Sequence, residues 1–271
     1  MECDQLHHIL RQASELALEQ RAQLEFTDKT DNSLVTNVDV VVGTLISELL
    51  TAHLPEIVVV NEEDPVPIDD LTDIPWAAVV DPIDGTHNFI AGLERWGICI
   101  GIMHHGTFCY GALALPDYGT ALILASDGLF EVELRSESRS PYSPPPRRAP
   151  NHTSIVSMAQ RFARAHVSPT WPTKGGVSIE GSVVYSLYRT FEGKVVAYVG
   201  LVNLWDIGGA IPLMHALGFS AWWFDSGIKA SLMVSDLIRG DGGKNHYKLK
   251  EPIFIARESD LRVEDGDFIW P

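Results

Sequence analysis

Three acidic blocks in this 271-residue chain have residue types suited to hard-cation chemistry: Asn61-Glu62-Glu63-Asp64, Asp81-Pro82-Ile83-Asp84-Gly85-Thr86 and Trp205-Asp206-Ile207-Gly208-Gly209. A fourth, weaker block is Leu34-Val35-Thr36-Asn37-Val38-Asp39. Paired acids in a loop are usually surface features, and a lone Trp-Asp says little. The second block says more. Two aspartates three apart, held by a proline and followed by glycine and threonine, have no obvious folding purpose. Magnesium prefers oxygen ligands in octahedral geometry. Carboxylates from separate strand ends, with one turn carbonyl, can hold two or more such ions. Ions roughly 3.5–4 Å apart clamp the attacking and leaving oxygens of a phosphoryl transfer. If Gly85-Thr86 opens a helix, its backbone N–H groups face an anion. The pattern reads as metal-dependent hydrolysis of a phosphate ester.

Such a site needs elements to position it. Residues 4–25 carry Leu6, Ile9, Leu10, Ala13, Leu16 and Ala17 at helical spacing. Residues 26–34 read as a loop, and Val38–Leu54 as a second helix stopped by Pro55. The β-branched run Ile57-Val58-Val59-Val60 predicts a buried strand. It runs straight into Asn61–Asp64. After a proline-rich connector, Pro65–Pro75, the apolar strand Trp76–Val80 ends at Asp81. Two buried strands thus release carboxylates at their C-terminal ends, where open α/β sheets build their sites.

Further strands are expected at 97–103, 107–115, 119–125, 129–134, 154–158 and 195–199, with Trp222-Trp223-Phe224 as another. Helices are expected near 159–166, 182–192 and 207–217. Ser136–Pro150 holds five prolines and reads as an exposed loop, with Arg147-Arg148 solvated. It divides one phosphatase-sized unit, 1–271, into subdomains of about 1–135 and 151–271.

Net charge is −16, and the first hundred residues carry 19 acids against four bases. That excess is either a solvated face or carboxylates gathered around cations. It argues against nucleic-acid binding, which announces itself by basic patches. Three scattered cysteines (Cys3, Cys99, Cys109) point to neither a disulfide framework nor a zinc site, and suggest a reducing, cytoplasmic setting. No secretory signal is visible at the N-terminus. Trp96–Pro116 lacks Asp, Glu, Lys and Arg but holds four glycines and a proline, which fits paired strands better than a membrane span.

In these blocks the sequence resembles the inositol monophosphatase superfamily of magnesium-dependent, lithium-sensitive phosphatases. Leu34–Asp39, Asn61–Asp64, Asp81–Phe89 and Trp205–Gly209 match its motifs in order and separation, from about residue 5 to about 256. The resemblance implies a layered α-β-α-β-α sandwich, commonly a homodimer. It implies Glu62, Asp81, Asp84 and Asp206 as metal ligands, joined by the carbonyl of Ile83. Thr86 matches the hydroxyl that orients the attacking water, Asp39 the carboxylate that holds this threonine, and Glu63 the acid behind the metals. Gly85 and Thr86 match the phosphate-contacting turn. Glu180-Gly181-Ser182 matches a substrate-contacting helix start, although Ser182 fits equally well as a helix cap. Two or three Mg2+ ions, with Mn2+ as a substitute and Li+ as inhibitor, and direct in-line attack by water on a small phosphate ester complete what the resemblance implies.

The chain departs from the family in three places. Where inositol phosphatases carry a glutamate that contacts substrate hydroxyls, this chain has Val199 or Gly200. An apolar residue accepts no hydrogen bond from a polyol, which weakens inositol monophosphate as the substrate. Ser126–Phe130 and His215–Phe219 also differ, and neither change touches the acidic blocks. A sugar, cyclitol or nucleotide phosphate is the expected substrate class, with a 3′-phosphonucleotide, fructose bisphosphate or histidinol phosphate as specific options. The alternative is a non-catalytic binding or regulatory protein with the same fold. Such a protein is expected to have lost one of Glu62, Asp81, Asp84, Thr86 or Asp206, and all are present.

Overall fold

The computed structural model describes residues 1–28, 34–65, 71–145, 150–151, 153–166, 175–231, 233–239, 246–260, 262–264 and 267–269. The chain opens with α1 (Cys3–Gln20), started by a capping box between Glu2 and Gln5. Its Leu6, Ile9, Leu10, Ala13 and Ala17 form a fully buried stripe. Where a loop is expected over 26–34, β1 (Phe26–Asp28) and β2 (Leu34–Thr36) pair antiparallel. Three residues per strand leave too little periodicity to read in advance.

Next come α2 (Asn37–His53), β3 (Val58–Asn61), β4 (Trp76–Asp84) and the short α3 (Thr86–Ile90). A meander follows: β5 (Gly97–His104), β6 (Thr107–Leu115), β7 (Thr120–Ala125), β8 (Gly128–Glu133) and β9 (Arg139–Pro141). His104-His105-Gly106 makes the β5–β6 turn, with positive φ at His105 and Gly106. Strands β3 to β9 form one seven-stranded sheet in sequence order. The expected loop over 136–150 is corrected in part, since β9 pairs with β8 as an edge strand. Proline is tolerated there because an edge leaves one side of the ladder unpaired. Arg147 and Arg148 lie outside the described residues, as does part of the 65–75 connector.

The second sheet is built from β10 (Ile155–Met158), β11 (Gly176–Ser178), β12 (Ala197–Gly200), β13 (Phe219–Trp223) and β14 (Ile253–Arg257), in the order β11-β10-β12-β14-β13. Between these strands run α4 (Gln160–His166), α5 (Val183–Phe191), α6 (Leu204–Ile207), α7 (Ala210–Ala216) and α8 (Val234–Leu237). A two-stranded ladder, β15 (Arg262–Glu264) with β16 (Asp267–Ile269), ends the described chain.

The helix expected near 207–217 is α7, and α6 is a separate turn just before it. Pro212 has no N–H to donate to Gly208, and the Gly209 N–H turns to the Cys99 sulfur at 3.1 Å. The helical ladder is therefore interrupted after Gly208, whose N–H still reaches the Leu204 carbonyl at 2.8 Å.

The layers run α-β-α-β-α. Helices α1 and α2 cover one face of the seven-stranded sheet, α5 to α7 fill the space between the sheets, and α4 covers the far face of the second sheet. Alternation along β4 divides its side chains accordingly. Ala78 and Val80 enter the core under α1 and α2, while Ala77 and Val79 enter the core between the sheets. No described helix is long and apolar enough to cross a membrane.

Candidate active site

Strands β3 and β4 are parallel neighbours in register, with Asn61 opposite Val80. Both therefore expire at the same edge. The Glu62 N–H continues the ladder to the Val80 carbonyl at 3.0 Å, which sets Glu62 beside Asp81. Pro82 cannot donate to β5, and the β4–β5 register shifts between Asp81 and Asp84. The bulge is stapled by Asp81 Oδ1, which accepts the Ile83 N–H at 3.1 Å. It aims two aspartates toward one space. Gly85 follows with φ +89°, and a Cβ there would lie 2.9 Å from the Ser182 Cβ, so the turn needs glycine.

The third carboxylate comes from the other half of the chain. Asp206 lies in the first turn of α6, where its Oδ2 accepts the Asn203 N–H at 2.8 Å in a capping box. Helix α6 reaches the sheet because glycines meet there. A Cβ on Gly101 of β5 would overlap the Gly208 backbone, and one on Gly111 of β6 would overlap the Gly209 carbonyl. Backbone packed on backbone brings carboxylate oxygens of Glu62, Asp81 and Asp206 within 4.8 Å of one another.

Asp84 stands beside this trio and lines the same cavity. Its Oδ2 accepts the Val184 N–H at 2.7 Å and a short hydrogen bond from the Ser182 hydroxyl. Ser182 also caps α5, accepting the Tyr185 N–H at 3.0 Å. The structure bears out Ser182 as a helix cap, and the same hydroxyl also braces a carboxylate.

Thr86, at the first position of α3, directs its hydroxyl at Asp39 Oδ1 (3.3 Å) and the Ile83 carbonyl (3.2 Å). Asp39 is 1 % exposed, and its other oxygen accepts the Thr36 N–H at 3.0 Å and the Thr36 hydroxyl. The capping box of α2 therefore fixes the acid that Thr86 faces.

Burial and mutual repulsion dominate the electrostatics. Desolvation first, then the charges of Glu62, Asp84, Asp206 and Asp39, push Asp81 well above the usual carboxylate range. Desolvation, then Glu62 and Asp84, do the same to Asp206, against the Asn203 N–H and the positive charge of Arg161. Asp84 is pushed up to about 6 by desolvation, with the Ser182 and Val184 hydrogen bonds opposing. A buried cluster of like charges is unfavourable unless a cation joins it. An all-oxygen donor set suits a hard divalent ion. The residues present therefore fit magnesium.

The cavity has a volume of about 190 Å³. Gly85, Thr86, Gly181 and Ser182 line it, as does the Ile83 backbone segment. Glu180 does not; its carboxylate pairs with Arg95 at 2.8 Å and takes the Ser178 hydroxyl. Asp39 and Glu63 are not part of the lining, and the Glu63 N–H is held by Asn61 Oδ1 at 3.2 Å. Val199 turns away into the core beneath α4, with Met158 and Phe162. Five polar lining residues carry no sequence motif: Gln160, Arg161, Tyr198, Asn203 and Lys248. Tyr198 leaves its buried hydroxyl without a hydrogen-bond partner, and desolvation with the nearby Asp206 and Asp84 pushes its phenol up.

Comparison with known proteins places this geometry. The model of the inositol monophosphatase family matches residues 4–253. The Nus factor SuhB of Pasteurella multocida is 35% identical over 221 residues, covering 77% of this chain and 79% of that one. The 3'(2'),5'-bisphosphate nucleotidase CysQ of Escherichia coli K12 is 24% identical over 200 residues, covering 72% and 78%. Among solved structures, a Thermotoga maritima IMPase superposes with a TM-score of 0.70 at 19% identity, covering 92% of this chain and 89% of that one. An IMPase/NADP phosphatase complexed with Mg2+ and phosphate gives 0.67 at 18% identity, covering 92% and 88%. With four motifs spaced along the match and a layered fold in common, the chain belongs to the inositol monophosphatase family.

Proposed function

We propose that this protein is a magnesium-dependent phosphomonoesterase acting on a small phosphorylated metabolite: a sugar, cyclitol or nucleotide phosphate. The observation that carries the reading is the convergence of Glu62, Asp81 and Asp206 within 4.8 Å, with Asp84 on the same cavity wall. These four side chains and the Ile83 carbonyl would hold the ions. When bound, the ions supply Lewis acidity that neutralises a phosphate and makes water nucleophilic near neutral pH.

The chain's own residues do the rest. Asp39, anchored by Thr36, accepts the Thr86 hydroxyl proton, leaving the Thr86 oxygen lone pairs to receive a hydrogen bond from water. That orients the water for in-line attack, with no phosphoenzyme. The Gly85 and Thr86 backbone N–H groups contact the phosphate, and Glu63 supports the acidic cluster from behind. The reading takes in a cytoplasmic setting and a homodimer, the latter testable by sedimentation.

Family membership and the complete carboxylate set support hydrolysis over a purely regulatory role. The relatives' names span both a nucleotidase and a Nus factor. The deciding experiment is phosphate release from a panel of sugar, inositol and nucleotide monophosphates, with and without Mg2+. Magnesium-dependent turnover abolished by Asp84→Asn is expected. Calorimetric Mg2+ binding with no turnover of any ester would favour the regulatory reading.

A further inference from the structure

We infer that Arg161 and Lys248 form an anion subsite facing the acidic centre, so that the preferred substrate is a phosphomonoester whose alcohol portion carries a second anionic group. This rests on the phosphatase reading above and specifies its substrate class.

The topology delivers these two cations to one place. Strand β12 leads directly into the segment bearing Asp206, and its neighbours in the sheet are β10 and β14. Strand β10 is parallel to β12, so the chain leaving its C-terminal end enters α4, whose second residue is Arg161, at the same edge. Strand β14 is antiparallel to β12, with Ile253 opposite Gly200, so the residues just before β14 approach that edge too. There Lys248 bridges Asn203, the cap residue of the helix carrying Asp206. Arg161 and Lys248 are the only lysine or arginine side chains among the described residues lining the cavity.

The cavity is therefore bipolar. Its lining carries both carboxylates and two cations, and the charge of Arg161 acts on Asp206. Met158, Ala159, Leu201 and Val202 add apolar lining suited to a sugar or base. Val199 faces the core, so no carboxylate at that position selects polyol hydroxyls. Discrimination among esters then falls to charge. Arg161 is exposed, and its guanidinium can meet an incoming phosphate or carboxylate in a two-pronged contact.

The test compares matched esters with Mg2+: adenosine 3′,5′-bisphosphate against adenosine 3′-monophosphate, fructose 1,6-bisphosphate against fructose 1-phosphate, and 3-phosphoglycerate against glycerol 1-phosphate. The wild type is expected to favour the doubly anionic member of a pair by roughly tenfold or more in kcat/KM, chiefly through KM. In the Arg161→Gln/Lys248→Gln double variant, checked for folding by circular dichroism and melting, the ratio should collapse toward one. A preference restricted to the bisphosphates assigns the second group as phosphate, and one shared by 3-phosphoglycerate admits a carboxylate. A wild-type ratio near one, or a ratio unchanged in the folded double variant, overturns the subsite while leaving the phosphatase reading intact. If no ester is hydrolysed, the phosphatase reading falls, and calorimetry decides the subsite separately. Tighter binding of adenosine 3′,5′-bisphosphate than of adenosine 3′-monophosphate by wild type, lost in the double variant, sustains it, and equal binding removes it.

Discussion

Asp84→Asn should make the metal-free protein more stable while destroying its activity. Asp84 is 6 % exposed, and burial pushes its carboxyl from 3.8 to about 6. Below pH 3.8 the group is protonated whether the chain is folded or not, and contributes nothing. Between 3.8 and about 6 the folded state holds a proton that the unfolded state has released, so stability falls as pH rises. Above that window the full penalty applies, and the rise to about 6 corresponds to roughly 3 kcal/mol. An asparagine removes the charge yet keeps an amide oxygen to accept the Ser182 hydroxyl and the Val184 N–H. In EDTA at pH 7.5 the variant should exceed wild type by up to about 3 kcal/mol, or roughly 6 °C in Tm. At pH 4.5 most of that advantage should be gone. Urea and thermal unfolding at pH 4.5, 6 and 7.5 measure it. A variant less stable than wild type at pH 7.5 in EDTA, or one with the same advantage at every pH, refutes the reasoning. Turnover of whichever ester the wild type accepts should fall at least about a hundredfold in the same protein.

Other expectations follow from the same geometry. Thr86→Ala should lower kcat by about 10²–10⁴-fold with an unchanged circular dichroism spectrum, since it removes one hydroxyl facing Asp39. Mg2+ should raise the wild-type Tm in proportion to the logarithm of its concentration, and Asp206→Asn should flatten that response in differential scanning fluorimetry. Gly101→Ala should destabilise by about 1–3 kcal/mol in urea titration and weaken Mg2+ activation, because its methyl group displaces the helix bearing Asp206.

Much of this site is legible because it depends on where buried strands stop. A β-branched run ending at Glu62 and an apolar run ending at Asp81 announce two carboxylates at one edge, and β3 and β4 do lie parallel there. Asp206 is legible as a motif residue, but its placement is not. Nothing local says that Gly101 and Gly208 will touch, since close approach is a relation between segments over a hundred residues apart. The break between α6 and α7 is similar, for it turns on Pro212 together with the Cys99 sulfur on another strand. Glu180 shows the opposite failure. Its neighbours Gly181 and Ser182 line the cavity, but its carboxylate meets Arg95, which sequence distance hides. Arg161 and Lys248 carry no motif because each owes its position to sheet order alone.

The glycine seat beneath α6 acts as a gauge block. Where two backbones touch, no side chain remains that substitution could trim to bring them closer, and any added carbon forces them apart. The gap between Asp206 and the strand-end acids is thereby set by the thickness of the polypeptide itself. The acids supply the charge, but their spacing depends on the close packing at Gly101, Gly111, Gly208 and Gly209. Those four residues, none of which offers a ligand side chain, hold the close approach that brings Asp206 to the strand-end acids.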